Sequence, residues 1–179
     1  YYFKLAEHTP WLREFLEKSD DTILPAFRKS ELVNALEKNL GADLCISRPK
    51  ERLTWGIELP FDSDFVTYVW FDALINYISF AGYKAAPDSG LPDFSQLWTA
   101  DSRPVHIIVK YIMVPAHGIY WLAMLRALGF SDDKMPQLLV HGWWNRSGEK
   151  MSKSLGNIID PVELADTFGV DALRYYLDR

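Results

Sequence analysis

From residue 65 onward the chain alternates between two hydrophobic rhythms, and this limits its possible folds more than any other feature. "FVTYVWF" is β-branched and aromatic and predicts a buried strand; a helix is expected over "DALINYISFAGY". "VHIIV" predicts the next strand, "PAHGIYWLAMLRALG" the next helix and "PQLLVHGWW" a third strand. Strands that alternate with helices imply right-handed crossovers and a parallel sheet covered by helices. In such sheets ligands sit beyond the carboxyl ends of the strands, so the residues just after each strand carry the most information.

The first fifty residues read as helical. Thr9 is expected to cap a helix with Pro10 at its first position, and Trp11, Leu12, Phe15 and Leu16 share a face. A second helix is expected from Ser30, with Leu32, Val33, Leu36 and Leu40 at helical spacing and Gly41 as its stop. "LCIS" is a short strand candidate, "RPKERLTWGIELP" reads as irregular, and "KAAPDSGLPDFSQ" as a surface excursion. Near the end, Asp160 and Pro161 start a helix that stops at Gly169, and Asp171 is expected to cap another.

The expected class is α/β. Residues 1–50 form a helical lead-in and 51–145 the second half of a doubly wound, parallel, Rossmann-like nucleotide-binding domain. Residues 146–179 hold a polar loop and the start of a helical domain. The chain has no initiator methionine, and its last residues are still in a helical pattern, so it reads as a piece of a longer protein.

Hydrophobic residues make up 49% and aromatics 15% of the chain, enough for a real core and too many for disorder. The formal charge of −5 provides no footprint for nonspecific nucleic-acid binding. Cys45 is the single cysteine, which excludes an internal disulfide and a cysteine-rich zinc site and fits a reducing compartment. With no transmembrane-length apolar run and no signal-peptide layout, a soluble cytoplasmic protein is expected.

The polar stretch "GEKMSKSLGN" places Lys150 and Lys153 three residues apart, with Ser152 and Ser154 as hydroxyl donors and Gly148 and Gly156 at its flanks. Lysine is a point charge on a flexible stem and suits phosphate oxygens without fixed geometry. By composition this is either a solvated surface loop or a mobile phosphate clamp; charge-rich loops are more often the former. The aromatic positions also read two ways. Trp70 is expected at a strand end, with Ala73 and Tyr77 four residues apart on the next helix; His117 and Trp121 have the same spacing on another helix. Such residues are usually core, but aromatic rings also make favourable contacts with a thioether. His8 and His106 read as structural, and Asp72 as a helix cap.

"KMSKS" is identical to the second signature of class I aminoacyl-tRNA synthetases. "HGWWNRSGEKMSKSLGNIIDPVELADTFGVDALRYYL", "YVWFDALINYISFAGY" and "CISRPKERLTWGI" resemble the methionyl-tRNA synthetase family in the same order, over essentially the whole chain. The resemblance implies a doubly wound fold and activation of methionine with ATP and Mg2+, then transfer to tRNA(Met). It also implies site residues. Lys150 and Lys153 would be catalytic, stabilising the triphosphate, with Lys153 the more important. Lys110, His141, Gly142, Met151, Ser152 and Lys153 would bind ATP, and Trp70, Ala73, Tyr77, His117 and Trp121 would bind methionine. By position, His141 and Gly142, with Trp143 and Trp144, follow the third strand and stand where they could flank the adenine; a buried structural His141 is a nearly equal reading.

The family's His-x-Gly-His signature is absent, and its zinc site and anticodon-reading domain would lie outside this chain. Where the family places Gly-Lys-Asp after a strand, this chain has Val109-Lys110-Tyr111, and Leu74 stands where some relatives have proline. A tyrosine cannot accept from two ribose hydroxyls as a carboxylate can, so only Lys110 carries over there. Two other readings stay open: a noncatalytic RNA- or partner-binding relative, and a class I synthetase for another amino acid.

Overall fold

The computed structural model describes residues 1–38 and 42–178 and divides into two compact units, Tyr1–His141 and Gly142–Arg179. The first begins with β1 (Tyr2–Phe3) and α1 (Leu5–Lys18). This helix starts ahead of the expected cap: Thr9 lies inside it and donates its hydroxyl to the Leu5 carbonyl at 3.1 Å. Leu12, Phe15 and Leu16 are buried along one face, as their spacing predicts. After β2 (Ile23–Leu24), α2 (Phe27–Lys38) begins three residues before Ser30 and buries Leu32 and Leu36. The expected stop at Leu40 and Gly41 lies outside the described residues.

β3 (Leu44–Cys45) pairs antiparallel with β1. β4 (Ser47–Pro49), β5 (Glu58–Leu59) and β6 (Asp62–Thr67) then form an antiparallel sheet in the order β4-β6-β5. Two expectations change here. The segment read as irregular supplies β5 and part of β4. The strand read over "FVTYVWF" ends at Thr67, and α3 spans Val69–Phe80. Tyr68 is the hinge: its N–H still bonds across to the Ile46 carbonyl at 2.8 Å. Its own carbonyl accepts from Phe71 N at 2.9 Å, which starts the helix. Trp70 therefore sits in the first turn of a helix and not at a strand end. A short apolar run lacks the periodicity that separates strand from helix, so the boundary was hidden.

The surface excursion contains only α4 (Phe94–Leu97), capped by Asp93. β7 (Val105–Val109) leads into α5 (Lys110–Ile112), a wide-turned π-helical stretch (Met113–Trp121) and α6 (Leu122–Ala127). β8 (Gln137–His141) returns beside β7. These strands form the parallel sheet, in the order β2-β8-β7 and in register from Val105↔Gln137 to Val109↔His141. The third strand is thus β2, from the first fifty residues, in place of the one expected near residue 65. Leu138 N donates to Thr22 O at 2.7 Å and helps tie it in.

Leu12, Leu16, Leu32, Trp121, Leu122, Leu125 and Leu138 are fully covered in one core. Gly118 permits the close approach of α2 to the π-helical stretch, since a Cβ there would stand 2.5 Å from Leu32 Cδ1.

In the second unit, β9 (Asn145–Arg146) and β10 (Glu149–Lys150) form a hairpin. Its two turn residues, Ser147 and Gly148, have φ of 53° and 82°, the signs a tight two-residue turn needs. α7 (Pro161–Phe168) starts as its sequence predicts, with Asp160 Oδ1 accepting from Val162 N at 2.8 Å. α8 (Val170–Asp178) begins before Asp171, which lies in its first turn and is not the cap. Among the described residues no helix is long and apolar enough to cross a membrane.

Candidate active site

In the first unit, three of the five expected methionine-pocket residues meet directly. Tyr77 projects from α3, and His117 and Trp121 from the π-helical stretch. Ring centroids lie 5.6 Å apart for Tyr77 and His117, and again 5.6 Å for Tyr77 and Trp121. Trp70 and Ala73 sit seven and four residues before Tyr77, on the same face of α3, and both are half-buried. Tyr77 is the most open of the trio at 37% exposure, against 2% for His117 and 0% for Trp121.

The hydrogen bonds determine which proton sits where. Val114 has non-helical φ and ψ, so the helix breaks after α5 and leaves the Ile112 carbonyl at its end. His117 Nδ1 lies 2.9 Å from that oxygen. A carbonyl only accepts, so Nδ1 carries the proton and Nε2 of the neutral ring is an acceptor. The Tyr77 hydroxyl, 2.8 Å from Nε2, is then the donor. Burial holds the His117 pKa below its usual value, despite the opposing pull of the Ile112 carbonyl, and pushes the Tyr77 phenol up.

A fourth ring completes the cluster. His106, structural by its place in the strand, packs on Tyr77 with centroids 4.1 Å apart, and its Nε2 accepts from Trp121 Nε1 at 3.1 Å. The sequence carried a signal for this: alternation along "VHIIV" turns His106 to the buried face with Ile108. Burial, helped by the neighbouring His117, lowers the His106 pKa to about 4. All four rings are therefore neutral near pH 7, which suits an apolar, polarisable guest.

The depressed pKa has a consequence for stability. An unfolded histidine takes up its proton near pH 6.5, whereas folded His106 resists until about 4. Between those values the unfolded state binds more protons, so stability falls as pH falls through this window. The stabilisation is complete above about pH 6.5 and its loss amounts to about 3 kcal/mol near pH 4. Urea midpoints measured from pH 7.5 to 4.5 should drop in this way, and His106→Gln should flatten the slope.

At the carboxyl edge of the parallel sheet, Val109 and His141 are register partners at the ends of β7 and β8. Lys110 follows Val109 as the exposed first residue of α5, and Gly142 follows His141 in sequence. Lys110 and His141, the expected ATP residues of this unit, thus stand at the strand ends, where the topology favours ligands.

In the second unit, the lysine stretch has more fixed structure than its glycines suggested. Lys150 ends the hairpin, with its ammonium 4.0 Å from the centre of the Trp143 ring. Lys153 opens a single 3-10 turn (Lys153–Leu155) whose cap is Ser152, with Oγ accepting from Leu155 N at 3.3 Å. Asn157, missed from the sequence, joins the two ends of the stretch. Met151 and Ser152 are half-buried and Lys153 is exposed. Among the described residues, no group of three or more His, Cys, Asp or Glu side chains could hold a metal ion.

The family profile described as "tRNA synthetases class I (M)" matches residues 1–179. The chain belongs to that family. It is 42% identical to the methionine–tRNA ligase of Rickettsia typhi over all of this chain and 33% of that protein. To the enzyme of the same name from Clostridium perfringens it is 44% identical, again over its full length and 26% of the relative. Among solved structures it resembles Mycobacterium tuberculosis methionyl-tRNA synthetase bound by methionyl-adenylate. That match has a TM-score of 0.81 and 38% identity, over all of this chain and 33% of the other. The chain thus spans about a quarter to a third of the relatives it matches.

Proposed function

We propose that this chain carries the amino-acid pocket and phosphate loop of a cytoplasmic methionine–tRNA ligase. In that reaction a carboxylate oxygen of methionine attacks the α-phosphorus of ATP, the bond to pyrophosphate breaks, and methionyl adenylate forms. The methionyl group then passes to the terminal adenosine of tRNA(Met), and AMP leaves. The observation that carries the choice of amino acid is the neutral cluster of Tyr77, His117, Trp121 and His106, in which Tyr77 is the ring open to a thioether and the three covered rings behind it place no charge beside the pocket. Trp70 and Ala73, on the same face of α3, would line the pocket's approach.

Lys150 and Lys153 are assigned to the phosphates, where they would offset charge building on the departing pyrophosphate. Ser152 caps the turn that Lys153 opens, and Met151 and Ser152 are assigned to ATP together with Lys153. Lys110, His141 and Gly142 are assigned to the nucleotide from the strand ends, and magnesium enters as part of the ATP substrate. Ribose binding is not assigned to Tyr111, which lacks the two acceptor oxygens of a carboxylate.

The test is ATP–pyrophosphate exchange by the intact protein, with methionine, leucine and valine compared side by side. Exchange with methionine far above the other two supports the assignment. Exchange should be absent from residues 1–179 by themselves, because the family's His-x-Gly-His segment is not among them.

A further inference from the structure

Asn157 lies seven residues beyond Lys150 and nothing in its composition marks it as functional, yet its amide ties the lysine stretch together. Its Oδ1 accepts from Ser152 N at 2.8 Å and its Nδ2 donates to the Lys150 carbonyl at 3.2 Å. One planar amide thus bonds to the backbone on both sides of Met151, as a neighbouring strand would. Beyond it, Ser152 Oγ accepts from Leu155 N and lies 2.7 Å from Ser154 Oγ. Gly156, at φ 63°, turns the chain so that Asn157 faces back toward residue 150. The ring from Lys150 to Asn157 is closed by a side chain, and Lys153 sits at its outer edge.

We infer that Asn157 is a positioning residue for Lys153, holding the backbone from which that lysine reaches phosphate. This rests on the assignment of Lys153 to the phosphates. A lysine stem has several free torsions, and ordering it against a transition state costs entropy. If its Cα were also loose, more freedom would have to be frozen in the step that breaks the phosphate bond. A bracket made in advance removes that part of the cost. Because it acts through Lys153, its effect should appear in turnover and not in methionine binding.

The experiment is exchange kinetics on the intact protein carrying Asn157→Ala, Lys153→Ala or both, with thermal midpoints recorded alongside. Asn157→Ala removes two hydrogen bonds and should lower kcat about tenfold. The KM for methionine should stay within about twofold, since a group acting only on the transition state leaves ground-state binding unchanged. In the Lys153→Ala background the same change should cost almost nothing more, because the residue it positions is gone. Three results overturn the inference: wild-type turnover in Asn157→Ala; the same fractional loss with and without Lys153; or a fall in thermal midpoint that accounts for the loss. If Lys153→Ala itself turns over normally, the phosphate assignment fails and the positioning role fails with it. If Lys153→Ala is crippled and Asn157→Ala is not, the positioning role alone fails.

Discussion

Lys153→Ala in the intact protein is expected to slow methionine-dependent ATP–pyrophosphate exchange by about a hundred- to a thousandfold, the range found when one preorganised stabilising group is removed. The lysine is exposed, begins a capped turn and stands on a bracketed backbone, so its charge is presented without a fold-level role. Its removal should therefore leave the thermal midpoint almost unchanged while kcat falls. Lys150→Ala should have a smaller effect, about tenfold. Its ammonium rests on the Trp143 ring, a contact that must be given up or shared when phosphate arrives. Single-turnover formation of methionyl adenylate would separate the two lysines, because the lysine that acts on the leaving pyrophosphate should limit that step.

The second large effect is on stability. Trp121→Ala should lower unfolding free energy by about 3–5 kcal/mol, the usual cost of truncating a buried large aromatic ring. Trp121 is fully covered, touches the rings of Tyr77, Trp98 and His106, and donates its indole N–H to His106 Nε2. The alanine variant leaves a cavity and an acceptor with no donor in the same place. Against a typical stability of about 5–15 kcal/mol, this is a substantial fraction. Trp121→Phe keeps most of the volume and loses the N–H, so about 1–2 kcal/mol is expected. Urea unfolding of both variants checks the ordering; methionine affinity should fall with each, because Tyr77 and His106 lose a common neighbour.

Much of this arrangement is legible from residues 65 to 141, where strands and helices differ in period. The pairing of β7 with β8 follows from local patterns joined by the parallel-sheet rule, whereas Tyr77, His117 and Trp121 stand out as a site through the family resemblance, since their spacing alone fits a core equally well. What stayed hidden depended on partners far along the chain. β2 is only Ile23–Leu24, too short for any alternation, and it becomes a strand because the edge of β8 is there to receive it. Val, Tyr, Trp and Phe suit either element, so the sequence leaves Trp70 at a strand end, and the hydrogen bonds of Tyr68 bring it into the helix. The break at Val114 and the resulting Ile112–His117 bond need three dimensions to be seen. His106 is buried and hydrogen-bonded as a structural histidine would be, but its contact with Tyr77 depends on α3, some thirty residues earlier in the chain. Asn157 was overlooked because a side chain that only bonds backbone leaves no motif.

Under the proposed function a neutral ring cluster chooses the amino acid, and the most direct measurement of that choice is the kcat/KM for ATP–pyrophosphate exchange by the intact protein with methionine, leucine and valine. The expected result is exchange with methionine at least about a hundredfold above the others, reduced by Tyr77→Ala mainly through a higher KM for methionine. Comparable exchange with leucine or valine, or no exchange with methionine, would contradict it.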